Sequence, residues 1–139
     1  MELVKLRSNP HDEILDKIVS SWTFNPTRER VHNRIEKHLE EDQLFVASDN
    51  GTIFGSFALH KIDDDLIEIT GIGILKEYRM KGLGRDILNQ FHELTFAAKI
   101  IVETDDEAVG FYMKSGFIIK SEKILENGII RYELELKSI

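Results

Sequence analysis

The stretch IEITGIGILKEYRMKGLGRDIL, residues 67–88, decides how this chain is built. Residues 67–75 form an apolar run interrupted by Glu68 and read as a buried strand. A charged turn follows, then Arg79-Met80-Lys81-Gly82-Leu83-Gly84, then an amphipathic helix striped by Leu83, Ile87, Leu88, Phe91 and Phe96. A strand that feeds a loop of glycines and cations onto a helix start is suited to holding phosphate. The first amides of the helix have no partner within it, its dipole favours an anion, and glycine lets the backbone come close. Spacing excludes two familiar phosphate loops. The dinucleotide fingerprint needs glycine at its first, third and sixth positions, but counting from Gly71 the sixth is Lys76, and from Gly82 it is Ile87. The P-loop string Gly-x-x-x-x-Gly-Lys-Ser/Thr does not occur. What remains is R-x-x-G-x-G, and on the residues alone two readings stand: a phosphate site, or a tight corner relieved by Gly82 and Gly84.

Working outward, residues 3–7 alternate like an edge strand. Residues 12–22 place Ile14, Leu15, Ile18, Val19 and Trp22 at helical spacing, with Asn9-Pro10 ahead as a start signal. Thr27 is placed to cap a second helix whose stripe is Val31, Ile35 and Leu39. Residues 44–48 and 53–61 are strands joined by an Asp49-Asn50-Gly51 turn, and Asp63-Asp64-Asp65 turns into the strand at 67. Beyond the central helix come a strand at 99–103, a short helix at 107–114, and a hairpin of 117–125 with 129–136 turning at Asn127-Gly128. The order is β-α-α-β-β-β-α-β-α-β-β. Three successive strands imply antiparallel pairing, and the strand-helix-strand unit of 67–103 implies a right-handed parallel crossover. The expectation is an α+β domain over 1–139, with a mixed, mostly antiparallel sheet flanked by helices. Its ligand site falls at the strand ends where pairing changes.

The chain as a whole sets further bounds. At 139 residues, 42% hydrophobic and 31% charged, it reads as one globular domain. It has no cysteine, which excludes disulfides, thiolate zinc sites and a cysteine nucleophile. The formal charge of -7 argues against a nucleic-acid partner. No apolar run is long enough for a membrane span, and the first residues lack an apolar signal core, so a cytoplasmic protein is expected. The five histidines lack metal-ligand spacing, so no metal is expected and each histidine reads as a surface residue.

Three features together resemble the GNAT superfamily of acyl-CoA N-acyltransferases. The element order fits nearly the whole chain. The Arg79–Gly84 loop is similar to that family's Q/R-x-x-G-x-G/A pyrophosphate loop, and it follows the strand ending Ile72-Gly73-Ile74. Downstream, residues 103–117 are similar to the family's second signature, ending F-Y-x-x-x-G-F at Phe111 to Phe117. The two stand in order, about thirty residues apart, on the expected elements.

The resemblance implies acetyl-CoA as acyl donor, lying in a notch between the strands at 67–75 and 99–103. Its pyrophosphate would take N–H bonds from Lys81, Gly82, Leu83, Gly84 and Arg85, with Met80 in the same loop and Arg79 and Lys81 adding positive charge. Backbone groups of Ile72 and Ile74 would pair with the amide-bearing pantetheine, and the Ile74 N–H would polarise the thioester carbonyl. Tyr112 falls where many members keep a tyrosine beside the sulfur, which implies a general acid. On its residues alone the alternative reading is a core aromatic. Glu68 matches the position of a glutamate that serves as base in histone-type and several small-molecule members; the competing reading is a solvent-facing strand residue. Asp105 stands where members often have an asparagine that bonds pantetheine. Aspartate accepts but does not donate there, and it also reads as the cap of the short helix. Trp22, Phe24 and Asn25 fall in the region that shapes the acceptor pocket, although Trp22 also has core spacing. The implied activity is direct N-acetylation of a primary amine on a small molecule or peptide. The alternative is a non-catalytic acyl-CoA-binding regulatory module. A homodimer through the last hairpin or an edge strand is compatible with either.

Overall fold

The computed structural model describes residues 1–79, 81–95 and 99–137. β1 (Glu2–Lys5) leads to α1 (Glu13–Ser20) and α2 (Arg28–Glu41). Each helix begins on a capping side chain. Asp12 Oδ1 accepts from the amides of Ile14 and Leu15 at 2.8 and 3.2 Å. Thr27 Oγ1, the expected cap, accepts from Arg30 N at 3.1 Å. α1 ends earlier than residue 22 because the amides of Trp22 and Thr23 tighten onto the carbonyls of Val19 and Ser20. β2 (Gln43–Asp49) and β3 (Thr52–Asp63) form a hairpin in which Asn50 and Gly51 both take positive φ, 49° and 81°. That is the conformation a two-residue turn of this hand needs. β4 (Leu66–Ile74) follows, then a 3-10 turn at Lys76–Tyr78, α3 (Leu83–Thr95), β5 (Lys99–Thr104), α4 (Val109–Lys114), β6 (Ile118–Ile124) and β7 (Ile130–Lys137).

The strands form one sheet in the order β1-β2-β3-β4-β5-β7-β6. β4 and β5 are parallel and every other neighbouring pair is antiparallel. This is the α+β architecture read from the sequence, with one addition: β7 inserts beside β5 and leaves β6 at the edge.

Two apolar clusters cover the sheet. Leu15, Val19, Val31 and Ile35 of α1 and α2 meet Leu44, Val46 and Ala58 on one face. On the other, Ile87 and Leu88 of α3 and Tyr112 of α4 meet Phe57, Ile67, Ile69, Ile100 and Val102. Phe96 and the side chain of Phe91, both expected in the α3 stripe, lie outside the described residues.

The feature that positions a site is a split in this sheet. β4 and β5 pair only from Leu66–Ile69 against Lys99–Val102. Beyond that point β4 stays on β3 as far as Ile74, while β5 stays on β7 through Thr104. A bulge marks the parting. Ala58 opposes Gly71 and Leu59 opposes Ile69, so Thr70 is the extra residue on β4. The two halves separate from there, and α3 and α4 begin at the mouth of the gap.

Candidate active site

The backbone of β4 lines one wall of the notch. Leu75 N donates to Phe54 O at 2.8 Å, which makes them a bonded pair of the antiparallel ladder. Alternation then directs the N–H and C=O of Ile74, and again of Ile72, away from β3 and toward the gap. Arg79 agrees: its Nε reaches back and donates to the Ile74 carbonyl at 2.8 Å. Thus the two strand residues expected to meet pantetheine do present backbone groups to the opening. The Ile74 carbonyl is the exception, because Arg79 already occupies it.

At the mouth, Gly82 has φ 75°, a left-handed conformation that favours glycine. Its carbonyl accepts from Asp86 N at 3.0 Å, the first bond of α3. The amides of Leu83, Gly84 and Arg85 therefore precede the helical ladder and point out of its end. Tyr78 stacks on Phe54 with centroids 4.9 Å apart, and Lys81 Nζ lies 5.7 Å from the Tyr78 ring centroid. Gly84 answers a packing demand: a Cβ there would lie 2.6 Å from Cε1 of Phe111 on α4. Of the expected loop, only Met80 lies outside the described residues.

Tyr112 and Glu68 lie on opposite faces of the sheet. The Tyr112 ring is 4% exposed and lies edge-on to both Phe111 and Phe117. Burial, and to a lesser degree the Asp105 carboxylate, push its hydroxyl well above the ordinary tyrosine range, so it stays protonated. The core-aromatic reading of its ring thus holds alongside any chemical use of its hydroxyl. Asp105 was expected to cap the short helix, but its Oδ1 accepts from Glu107 N and Ala108 N at 3.0 and 3.1 Å, in the turn ahead of α4, and the helix itself has Ala108 at its N-cap with no capping side chain. This turn also delays α4 to residue 109. Glu68 alternates with Ile67 and Ile69, so it turns away from their core toward the α1 and α2 face. There it is partly buried, opposite His60 on β3, and lines a cavity of about 660 Å³ with Thr70, His60, Asp42, His38 and Arg34.

This cavity holds a network the sequence reading missed. His38 was expected at the surface, yet it is 2% exposed. Its Nδ1 lies 2.7 Å from Asp42 Oδ2, and its Nε2 accepts from Trp22 Nε1 at 3.2 Å. The tautomer follows: Nε2 carries the lone pair and Nδ1 the proton. Burial lowers the pKa of His38, outweighing the carboxylate beside it, so the ring is neutral. Asp42 also meets His60 Nδ1 at 2.9 Å and accepts from Thr70 Oγ1 at 3.1 Å. Burial alone would raise the Asp42 pKa, but these three hydrogen bonds bring it below the usual value. One signal for His38 was available, since it lies seven residues after Val31 on the buried stripe. His60 and Thr70 gave none, because they reach Asp42 only through sheet pairing. Trp22 lies over β4 at the bulge, where a Cβ on Gly71 would come 2.4 Å from its Cε2. Phe24, from the same expected region, is exposed. Among the described residues no cluster has metal-ligand character, and no helix is long and apolar enough to cross a membrane.

Known proteins share this architecture. A GNAT family acetyltransferase from Elizabethkingia anophelis with acetyl-CoA bound superposes with a TM-score of 0.74 at 20% identity, covering 99% of this chain and 97% of that one. An aminoglycoside 6'-N-acetyltransferase complexed with coenzyme A gives 0.79 at 13% identity, covering 100% and 98%. The ribosomal-protein-S18-alanine N-acetyltransferase of Escherichia coli gives 0.72 at 15% identity, covering 98% and 92%. These likenesses speak to the fold. The sequence pattern of the acetyltransferase (GNAT) domain matches residues 12–138. With that match over nearly its whole length, the split between β4 and β5 and the glycine loop at the mouth, the chain belongs to the GNAT acetyltransferase family.

Proposed function

We propose that this protein is an N-acetyltransferase that moves the acetyl group of acetyl-CoA directly to a primary amine of a small molecule or peptide. The observation that carries the reading is the split sheet: β4 leaves β5 after Ile69 and turns the backbone groups of Ile72 and Ile74 into the gap. An amide-bearing arm laid there completes the strand ladder. The amides of Leu83, Gly84 and Arg85, with Lys81 and Arg79 beside them, suit a diphosphate at the mouth. Asp105 is a weaker candidate for the arm, since its Oδ1 already serves two backbone amides.

Acetyl-CoA supplies an activated carbonyl and a thiol leaving group. The protein's residues then divide the proton work. Glu68, on the cavity side, takes a proton from the incoming ammonium, directly or through water, so that nitrogen can attack. The Ile74 N–H donates to the carbonyl oxygen as negative charge gathers on it. Tyr112, protonated in its apolar setting, gives its proton to the departing sulfur as the C–S bond breaks, and the surplus proton on the newly bonded nitrogen restores the Tyr112 hydroxyl, directly or through water. The products are an N-acetylated amine and free CoA.

The lack of cysteine makes the test clean, because a thiol reagent then sees only released CoA. Wild-type protein with acetyl-CoA should release CoA in step with the acetylated amine for at least one class in a broad amine panel. Cofactor binding with no release across that panel would instead identify an acyl-CoA-binding regulatory module.

A further inference from the structure

The cavity on the α2 side holds two charged groups that none of its own residues pairs. Its lining includes Thr70, the first residue of β4 beyond the pairing with β5. The Asp42 carboxylate is met by His38, His60 and Thr70, and both histidine contacts use Nδ1. Lys37 and Glu41 also line the cavity, but both are exposed on α2. Two groups remain. Glu68 makes no ion pair with any described residue. Arg34 contributes a guanidinium whose buried Nε has no hydrogen-bond acceptor among the described residues.

A buried donor left without an acceptor costs stability, which an arriving acceptor offsets. An anion on β4 and a cation on α2 thus share one chamber, lined by the first residue of β4 beyond β5. We infer that the acceptor is a zwitterionic small molecule. Its amine lies toward Glu68 and its carboxylate is held by Arg34, whose planar guanidinium suits a carboxylate. This inference rests on the N-acetyltransferase reading and narrows its substrate class.

The test compares α- and ω-amino acids of two to six carbons with their carboxamides. CoA release is followed with full-length wild type, Arg34→Gln and Arg34→Lys. For wild type, kcat/KM should favour at least one carboxylate over its carboxamide by about 10- to 100-fold, the range one charge-assisted hydrogen bond supplies. Arg34→Gln should collapse that ratio toward one, and Arg34→Lys should retain part of it. Thermal melting checks that each variant folds. A second readout does not need turnover: N-acetylated amino acids should raise the Tm of wild type more than that of Arg34→Gln. Turnover of amines without carboxylate preference, or a preference that Arg34→Gln leaves intact, would overturn the inference and leave the acetyltransferase reading standing. Acetyl-CoA binding with no turnover of any amine would remove both.

Discussion

Gly71 lies on β4 beside the bulge and directly under the Trp22 ring, so Gly71→Ala is a sharp probe of how the notch is held. Its φ is not in the left-handed region, so alanine suits the backbone and any cost comes from contact. The new Cβ would stand 2.4, 2.6 and 2.9 Å from Cε2, Nε1 and Cζ2 of Trp22, far inside van der Waals separation. The ring must move, and its hydrogen bond to His38 Nε2 goes with it. Overpacking costs about 1–3 kcal/mol, and losing a bond to a buried acceptor adds about 1 kcal/mol, so the expected loss is about 2–4 kcal/mol. For a chain of this size that lowers Tm by roughly 6–14 °C. Urea unfolding reads the change, and the fluorescence of Trp22, the only tryptophan, reports whether its surroundings shift. In a Trp22→Leu background the same glycine substitution should cost less than about 1 kcal/mol, because the obstructing ring is gone. Equal costs in both backgrounds, or no cost in either, would refute the reasoning.

Four other outcomes are expected. Tyr112→Phe should lower turnover about 100-fold and leave the acetyl-CoA Kd within about twofold; since burial and Asp105 hold this hydroxyl high, wild-type rates should show no alkaline loss from it below about pH 10. Gly82→Val places a β-branched residue at φ 75° with open space around its Cβ, so it should disturb the loop alone; calorimetry should show acetyl-CoA binding weakened at least ~100-fold with Tm changed by only a few degrees. Glu68→Gln should slow the reaction most at low pH, where unprotonated amine is scarce, and an unchanged pH profile would leave Glu68 structural. Lowered pKa values of His38 and Asp42 both mean that the unfolded chain binds more protons. Stability should therefore fall on acidification, first below the unfolded histidine value of 6.5 and again as Asp42 protonates below 3.8; melting across pH checks this, and His38→Gln should flatten the upper step.

The sequence was most legible where local chemistry decides structure. The run from Ile67 to Leu88 carries a strand, a glycine loop and a helix start within one window, and all three form as spacing dictates. Thr27 caps α2 and Asn50-Gly51 turns its hairpin because those conformations depend on neighbours in the chain. The bulge at Thr70 was not legible, since it arises from register between β3 and β4. Nor was the insertion of β7 beside β5, which is a choice among pairings. The candidate site divides in the same way. Ile72, Ile74 and the 82–85 amides follow from a continuous segment, whereas Asp42 gathers His60 and Thr70 across 18 and 28 residues of chain. His38 was misplaced because a histidine is polar by type, although its position on the Val31 stripe already favoured the interior.

The most direct measurement is a crystal structure of the protein with coenzyme A. The expected result is a diphosphate within hydrogen-bonding distance of the amides of Leu83, Gly84 and Arg85, pantetheine alongside Ile72 and Ile74, and sulfur directed toward Tyr112. Coenzyme A bound elsewhere on the surface, with β4 and β5 closed against each other, would contradict it.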